Sequence, residues 1–122
     1  MCCSKVYKQL ADWNKKVDGL EILLFPSDEF GGQELPSKDI PAFVTSKGLP
    51  IDGGGCTLMA KVQTNGASAD PVWRACKEAT SAEPVRWNFA AWFLIDTHGN
   101  VVGRYSGRDL KACGDLLARL VA

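Results

Sequence analysis

Residues 86–105, RWNFAAWFLIDTHGNVVGRY, carry the strongest structural signal in the chain. The first half is a nearly unbroken apolar and aromatic run, which is typical of a strand buried on both faces. The segment DTHGN that follows contains a glycine able to take a positive φ and polar residues that favour a turn. The final VVGRY forms a shorter apolar arm with a polar end. The pattern predicts a β-hairpin whose second arm lies nearer the edge of a sheet.

Trp87 and Asn88 stand at the start of the first arm. The indole N–H and the side-chain amide are neutral hydrogen-bond donors, and such a pair can stabilise an anion without titrating. Taken alone, the two residues also fit a core aromatic and a cap at a strand end. A second motif is therefore needed to choose between an anion site and a packing role.

The second motif is LEILLFPSDEFGGQE, residues 20–34. It predicts a strand that ends at Pro26 and opens into a Gly-Gly turn carrying Gln33. The chain order of FPSDEFGGQE, then KVQTNG at residues 61–66, then WNF and a hairpin ending in RY resembles that of the glutathione peroxidase family. The resemblance extends from about Tyr7 to the C-terminus.

This resemblance implies an α/β fold of the thioredoxin-like class, in which helices flank a mixed central sheet. It also implies that Gln33, Trp87 and Asn88 match three members of the family's catalytic tetrad. The fourth member is a peroxidatic cysteine or selenocysteine after the first core strand, shortly before the tyrosine that Tyr7 resembles. That position falls just before Met1, so the resemblance implies that this sequence lacks both the nucleophile and the first core strand.

Cys2 and Cys3 are weak substitutes for the nucleophile, because without a preceding strand they would lie on a frayed N-terminus. A second alignment puts Val6 at the nucleophile position, which also removes it. The family's resolving cysteine corresponds to Thr45, and a further family cysteine corresponds to Ser27. A thioredoxin-dependent route is therefore not expected.

A chain of 122 residues with 46% hydrophobic content is expected to form a single domain over residues 1–122. Fourteen basic and fourteen acidic residues give a net charge of zero, which argues against nucleic acid or an anionic membrane surface as the main partner. No apolar run is long enough to span a bilayer, and no signal peptide is visible. The sequence therefore predicts a domain that neither binds nucleic acid nor spans a membrane.

Five cysteines, an odd number without the dense spacing of a disulfide scaffold, favour a reducing intracellular compartment, the cytoplasm or an organelle. Cys76 and Cys113 lie on predicted apolar helix faces, which is typical of small core residues. There is no Cys-x-x-Cys pair, and the lone His98 lies in a turn without a ligand partner four residues away. Neither a metal site nor a bound cofactor is therefore expected.

Periodicity and capping signals predict the remaining elements. Ser37 is expected to be the N-cap of a short helix whose buried side contains Phe43 and Val44. The apolar face expected for the next helix consists of Val72, Ala75, Cys76 and Ala79. The predicted helices cover residues 4–17, 37–47, a segment from residue 70, and 108–121. The predicted strands outside the hairpin cover residues 20–25 and 56–62.

The family resemblance implies thiol-dependent reduction of hydrogen peroxide or lipid hydroperoxides, with glutathione or another thiol as the reductant. The short connection before Trp87 is similar to that of the monomeric, phospholipid-hydroperoxide type. Three interpretations stay open. The chain is part of a longer product whose selenocysteine is encoded upstream, or a catalytically inactive accessory subunit whose sheet is completed by a partner strand, or a redox sensor that uses Cys2 and Cys3.

Overall fold

The computed structural model describes residues 3–30, 35–81, 83–86 and 89–121, with backbone alone at Cys3 and Ser4. It divides into two compact units, Met1–Val62 and Gln63–Ala122. The expectation of a single domain over the whole chain stays a prediction. Across the described ranges the elements are, in chain order, α1 (Cys3–Lys16), β1 (Ile22–Leu24), a 3-10 helix (Ser37–Asp39), α2 (Ile40–Ser46), β2 (Cys56–Leu58), α3 (Pro71–Ala79), β3 (Trp92–Ile95), β4 (Val101–Tyr105) and α4 (Leu110–Val121).

The first unit is built on a parallel pair of short strands, in which residues 22–24 of β1 align with residues 56–58 of β2. The chain leaves α1 through Gly19, whose φ of 80° is the left-handed conformation that commonly ends a helix. The rings of Tyr7 in α1 and Phe43 in α2 meet edge to face, with their centroids 5.7 Å apart. The buried apolar residues of this unit include Val6, Leu10, Ile40, Val44, Leu49 and Cys56.

The second unit contains the predicted hairpin. Its strands β3 and β4 are antiparallel, and Trp92 aligns with Tyr105. The carboxylate of Asp96 accepts hydrogen bonds from the backbone N–H groups of Asn100 and His98, each at 2.9 Å. These bonds, that from Asn100 foremost, lower the pKa of Asp96. The buried apolar residues of this unit include Ala69, Cys76, Val85, Ala91, Cys113 and Leu117.

The strands are shorter than the apolar runs that predicted them. β1 and β2 contain three residues each, and β4 contains five against four in β3, so the prediction that the second hairpin arm is the shorter one was wrong. Ile95 is 46% exposed, so the prediction that the first hairpin arm is buried on both faces was also wrong. Leu23 in β1 is 48% exposed. An apolar run reflects average burial, whereas a strand extends only as far as a partner backbone pairs with it.

The helix expected from Ser37 begins later than predicted. Ser37–Asp39 is a 3-10 turn after Pro36, and α2 begins at Ile40 without a side-chain cap. The prediction that Ser37 is an α-helical N-cap was therefore wrong. The N–H of Asp39 donates to the carbonyl of Pro36 at 2.9 Å, which closes a tight turn before the α-helix begins.

The buried side of α2 was predicted in part. Val44 is 2% exposed, which confirms the prediction that it is buried. Phe43 is 37% exposed, so the prediction that Phe43 is buried was wrong. Ile40 and Val44 lie four residues apart on one face, and this face alone is buried in so short a helix.

The buried side of α3 is rotated from the predicted apolar face. Of the four predicted positions Cys76 alone is buried, and Val72 is 49% exposed, so the prediction for the other three was wrong. Trp73 contacts the core instead, with its ring 5.3 Å from that of Phe93 in β3. An aromatic ring contributes more buried area than a valine, so it sets the orientation of the helix.

The helix predicted from residue 70 is α3, and Asp70 caps it by accepting a hydrogen bond from the N–H of Val72 at 3.0 Å. We expect Asp70→Ala to lower the free energy of unfolding by about 1 kcal/mol, because it removes this bond from the helix N-terminus. Urea denaturation followed by circular dichroism measures the loss. Asp39→Ala is the matched control, since Asp39 precedes α2 without a side-chain cap. An equal loss in both variants would contradict the prediction.

Candidate active site

The predicted catalytic residues Gln33, Trp87 and Asn88 lie outside the described residues, as does Cys2. Cys3 is the first residue of α1, and its side chain is likewise not described. The prediction that these residues form a site therefore stays a prediction. The structure does describe the segments that flank them in the sequence, and these segments show how the chain is held on either side.

The chain that leads toward Gln33 is anchored within the first unit. The carbonyl of Pro26 accepts a hydrogen bond from the N–H of Val62 at 2.9 Å. Ser27 is 4% exposed; its Oγ donates to the carboxylate of Glu29 at 2.9 Å and accepts from the backbone N–H of Glu29 at 3.2 Å. A serine with a fixed hydroxyl thus occupies the position that the resemblance assigns to a family cysteine, and it closes a local turn.

The chain that leads toward Trp87 is held by the side chain of Asn65. Its Nδ2 donates to the carbonyl of Val85, and its Oδ1 accepts from the N–H of Val85, both at 2.7 Å. The same Oδ1 accepts from Nζ of Lys77 at 2.9 Å, and this ammonium also donates to the carbonyl of Thr64. Val85 is 5% exposed, so its backbone polar groups need such partners.

The guanidinium of Arg104 binds three backbone carbonyls of the preceding loop. Arg104 in β4 donates to the carbonyls of Ser81 and Glu83 at 2.9 Å and to that of Pro84 at 3.4 Å. Its guanidinium carbon also lies 5.7 Å from the ring centroid of Phe93 on the paired strand. Because the planar group rests near an aromatic ring and carries five N–H donors, it orders a loop that lies outside any described strand.

On the far side of Trp87 and Asn88, Phe89 has a φ of 60°. Among the described residues it is the one non-glycine residue with a positive φ, a conformation that is unfavourable for an aromatic side chain. Its carbonyl accepts a hydrogen bond from the N–H of Gly107 at 2.8 Å. Strained residues persist where their surroundings hold them, and they cluster at functional sites. The chain is thus held at Val85 and at Phe89.

An open cleft of about 500 Å³ lies beside these segments within the second unit. Arg86, Arg104 and Arg108 line it, together with the acidic Glu83 and Asp109. The lining thus carries charged groups of both signs, and a guanidinium can bind the carboxylate or phosphate group of a small ligand. Sequence reasoning missed this cleft and the roles of Asn65 and Arg104, although both of these residues belong to the motifs that carried the resemblance.

Curated glutathione peroxidases are similar to the chain over most of its length. The chain is 37% identical over 109 residues to a glutathione peroxidase of Schistosoma mansoni, a match that covers 84% of the chain and 61% of the relative. It is 42% identical over 89 residues to "Glutathione peroxidase 1, mitochondrial" of Chlamydomonas reinhardtii, covering 71% and 43%. It is 36% identical over 107 residues to a probable phospholipid hydroperoxide glutathione peroxidase of Nicotiana sylvestris, covering 84% and 57%. The chain belongs to the glutathione peroxidase family.

No protein-family model matches the chain, so the assignment to the glutathione peroxidase family rests on these relatives. The chain spans between 43% and 61% of their length. The predicted fold class is confirmed: family membership and the mixture of helices with parallel and antiparallel strands support a thioredoxin-like α/β fold.

The cysteine thiols whose positions the structure describes are buried. Cys56, Cys76 and Cys113 are free and 1%, 5% and 4% exposed, which confirms the core roles predicted for the last two. Burial raises the pKa of all three, with Glu21 adding to the rise at Cys56 and Asp109 to that at Cys113, whose pKa reaches about 11. Such thiols are protonated at neutral pH and are poor nucleophiles.

Neither a cluster of metal ligands nor a membrane-spanning helix is found in the part of the chain that the structure describes. There, no three His, Cys, Asp or Glu side chains are placed to hold a metal ion, and no helix is both long and apolar enough to cross a bilayer. His98 lies in the hairpin turn, as predicted, and its side chain is exposed.

We expect Arg104→Lys to speed amide hydrogen exchange in the peptide that spans residues 80–90, because a compact ammonium cannot reproduce the hydrogen bonds that two nitrogens of the guanidinium donate to three carbonyls. The free energy of unfolding should fall by about 1–3 kcal/mol. Exchange mass spectrometry and urea denaturation measure the two effects. The control Arg119→Lys changes an exposed arginine in the last turn of α4. Unchanged exchange in this peptide of Arg104→Lys would show that the three bonds do not order the loop.

Cys113 should resist alkylation in the folded chain. A pKa of about 11 leaves about a hundredfold less thiolate at pH 8 than an ordinary thiol has. Labelling with iodoacetamide, followed by mass spectrometry, should be slow in the native chain and fast after unfolding in guanidinium chloride. Fast native labelling would refute the burial argument.

Because the folded-state pKa of Cys113 is raised, its protonated thiol adds stability at neutral pH. This contribution should be lost as pH rises from the ordinary value of 9.0 to about 11. Cys113→Ala should lack this part of the pH dependence.

Proposed function

We propose that the protein reduces hydrogen peroxide or lipid hydroperoxides with electrons from a thiol, and that glutathione is the reductant. The observation that carries the proposal is the held segment of the second unit, in which Asn65 and Arg104 fix the chain before Trp87 and Asn88, and a hydrogen bond holds Phe89 after them. The names of the relatives, glutathione peroxidase and phospholipid hydroperoxide glutathione peroxidase, support it.

In this proposal Gln33, Trp87 and Asn88 are hydrogen-bond donors and not nucleophiles. A thiolate or selenolate attacks one peroxide oxygen, the O–O bond breaks, and the other oxygen takes a proton and leaves as water or an alcohol. Neutral amide and indole donors stabilise the negative charge, first on sulfur or selenium and then on the leaving oxygen. The sulfenic or selenenic acid condenses with one glutathione and loses water, and a second glutathione restores the nucleophile and releases glutathione disulfide.

The nucleophile must come from outside the described core, because Cys56, Cys76 and Cys113 are buried. We propose that it precedes Tyr7. It is either Cys2 or Cys3, or a cysteine or selenocysteine in a longer protein of which this chain is one piece. The second alternative is consistent with the share of the relatives' length that the chain spans, 43% to 61%.

The arginine-lined cleft supports a reductant of the glutathione class. Arg86 and Arg108 are exposed at the cleft, and a guanidinium can bind a carboxylate through two parallel hydrogen bonds. Glutathione carries carboxylate groups and an ammonium group, which match the arginines and the acidic Glu83 and Asp109. Arg104 donates to the loop carbonyls, so we assign carboxylate binding to Arg86, which is exposed at the cleft.

The proposal is tested by the stoichiometric reaction of the purified, pre-reduced chain with hydrogen peroxide, followed by mass spectrometry. We expect rapid loss of about one equivalent of peroxide, with oxidation at Cys2 or Cys3. The matched control replaces both with serine and keeps the three buried thiols. Oxidation that is scattered, and no faster than that of a free thiol, would contradict catalysis by this chain.

A second candidate function is that of a catalytically inactive accessory subunit. In its favour, each sheet formed by the described residues has two strands, and Leu23 on β1 is 48% exposed. Short two-stranded sheets are marginally stable by themselves, and unpaired strand edges attract further strands. In this case the chain should gain thermal stability on association with a partner that supplies a strand, and slow thiol oxidation is the expected result of the peroxide experiment.

A further inference from the structure

Asn65 and Lys77 together form a clamp on the backbone of Val85. Asn65 presents one donor and one acceptor to the carbonyl and N–H of the same residue, both at 2.7 Å. This is the two-way exchange of hydrogen bonds that a residue of a neighbouring antiparallel strand would offer. The backbone of Val85 therefore forms with a side chain the two hydrogen bonds that a residue in a sheet forms with a neighbouring strand.

Lys77 gives the clamp its orientation. Its ammonium is half-buried and donates to Oδ1 of Asn65 at 2.9 Å and to the carbonyl of Thr64. If the amide were turned over, its NH₂ group would face both this ammonium and the N–H of Val85, so only one orientation is compatible with the two donors. Charge-assisted hydrogen bonds are stronger than neutral ones, and Lys77 lies in the last turn of α3. The clamp therefore ties the segment to a helix.

We propose that this clamp places Trp87 and Asn88 for hydroperoxide reduction, so that Asn65 and Lys77 are positioning residues of the active site. The inference rests on the proposed function. The buried side chain of Val85 fixes where the segment lies, and the two backbone hydrogen bonds fix the direction in which the chain leaves it. Donors stabilise a developing charge only when they are held close to their productive geometry. Loss of the clamp should displace the donors without removing them.

Nuclear magnetic resonance of the isotope-labelled chain tests the proposal without requiring activity. The test variants are Asn65→Ala and Lys77→Met. The matched control is Asn14→Ala, which removes a comparable bond in the first unit, from Nδ2 of Asn14 to the carbonyl of Gly54 at 2.8 Å. The indole resonance of Trp87 is identified by its loss in Trp87→Phe, and the indole of Trp13 is the internal reference.

Asn65→Ala should speed exchange of the Val85 amide proton about tenfold, because it removes two hydrogen bonds from this residue. It should also shift the Trp87 indole and Asn88 carboxamide resonances. Lys77→Met should shift the same two resonances by less, since the pair between Asn65 and Val85 remains. In Asn14→Ala the exchange rate and both resonances should stay unchanged.

Faster exchange at Val85 with unchanged resonances of Trp87 and Asn88 would mean that the clamp is only structural, and this would overturn the proposal. If Asn65→Ala does not fold, Lys77→Met decides alone: a shift of both resonances supports the clamp and no shift overturns it. Failure of the chain to consume peroxide would count against the proposed function only, since these resonances report where the donors lie whatever their chemistry.

Discussion

The backbone of Val85 takes its hydrogen bonds from a side chain, and the order of the surrounding loop depends on this constraint. A buried N–H or carbonyl without a partner costs on the order of 1–3 kcal/mol. A segment outside any strand can therefore be buried only if other groups serve it. Asn65 serves Val85, Lys77 fixes Asn65, and Arg104 serves the carbonyls earlier in the loop. The loop is thus ordered by residues that belong to other parts of the second unit.

Membership of the glutathione peroxidase family is what connects this loop geometry with the proposed catalytic role. In another family the same segment would be a well-ordered loop, whereas here it leads to the residues that resemble the family's hydrogen-bond donors. Cys56, Cys76 and Cys113 are packed in the interior and kept protonated by burial. The described residues therefore account for how the chain is held at Val85 and Phe89, and we propose that the nucleophile lies outside the described core.

Sequence patterns predicted the elements well where the interacting residues are close in the chain. The hairpin turn and the start of α3 after Asp70 depend on contacts between residues two to four positions apart, so local chemistry was sufficient to predict them. The errors at Ser37 and Phe43 have different causes. The 3-10 turn after Pro36 moves the start of the α-helix beyond Ser37. Phe43 is exposed because another face of α2 is buried. Burial depends on what packs against a helix, which periodicity reports only approximately. The catalytic motif residues came from resemblance and stay a prediction.

The sequence by itself was enough to indicate the family, through motifs spread along the chain, to predict the order of helices and strands, and to nominate Gln33, Trp87 and Asn88. Only the folded chain settled which side chains hold the segment before Trp87. Asn65 lies 20 residues before Val85, and Arg104 lies 20 to 23 residues after the carbonyls that it serves. A hydrogen bond is short-ranged and directional. Two residues about 20 positions apart therefore form such a bond only when the intervening helix and strands pack so as to bring them together. A pattern along the chain does not contain this information.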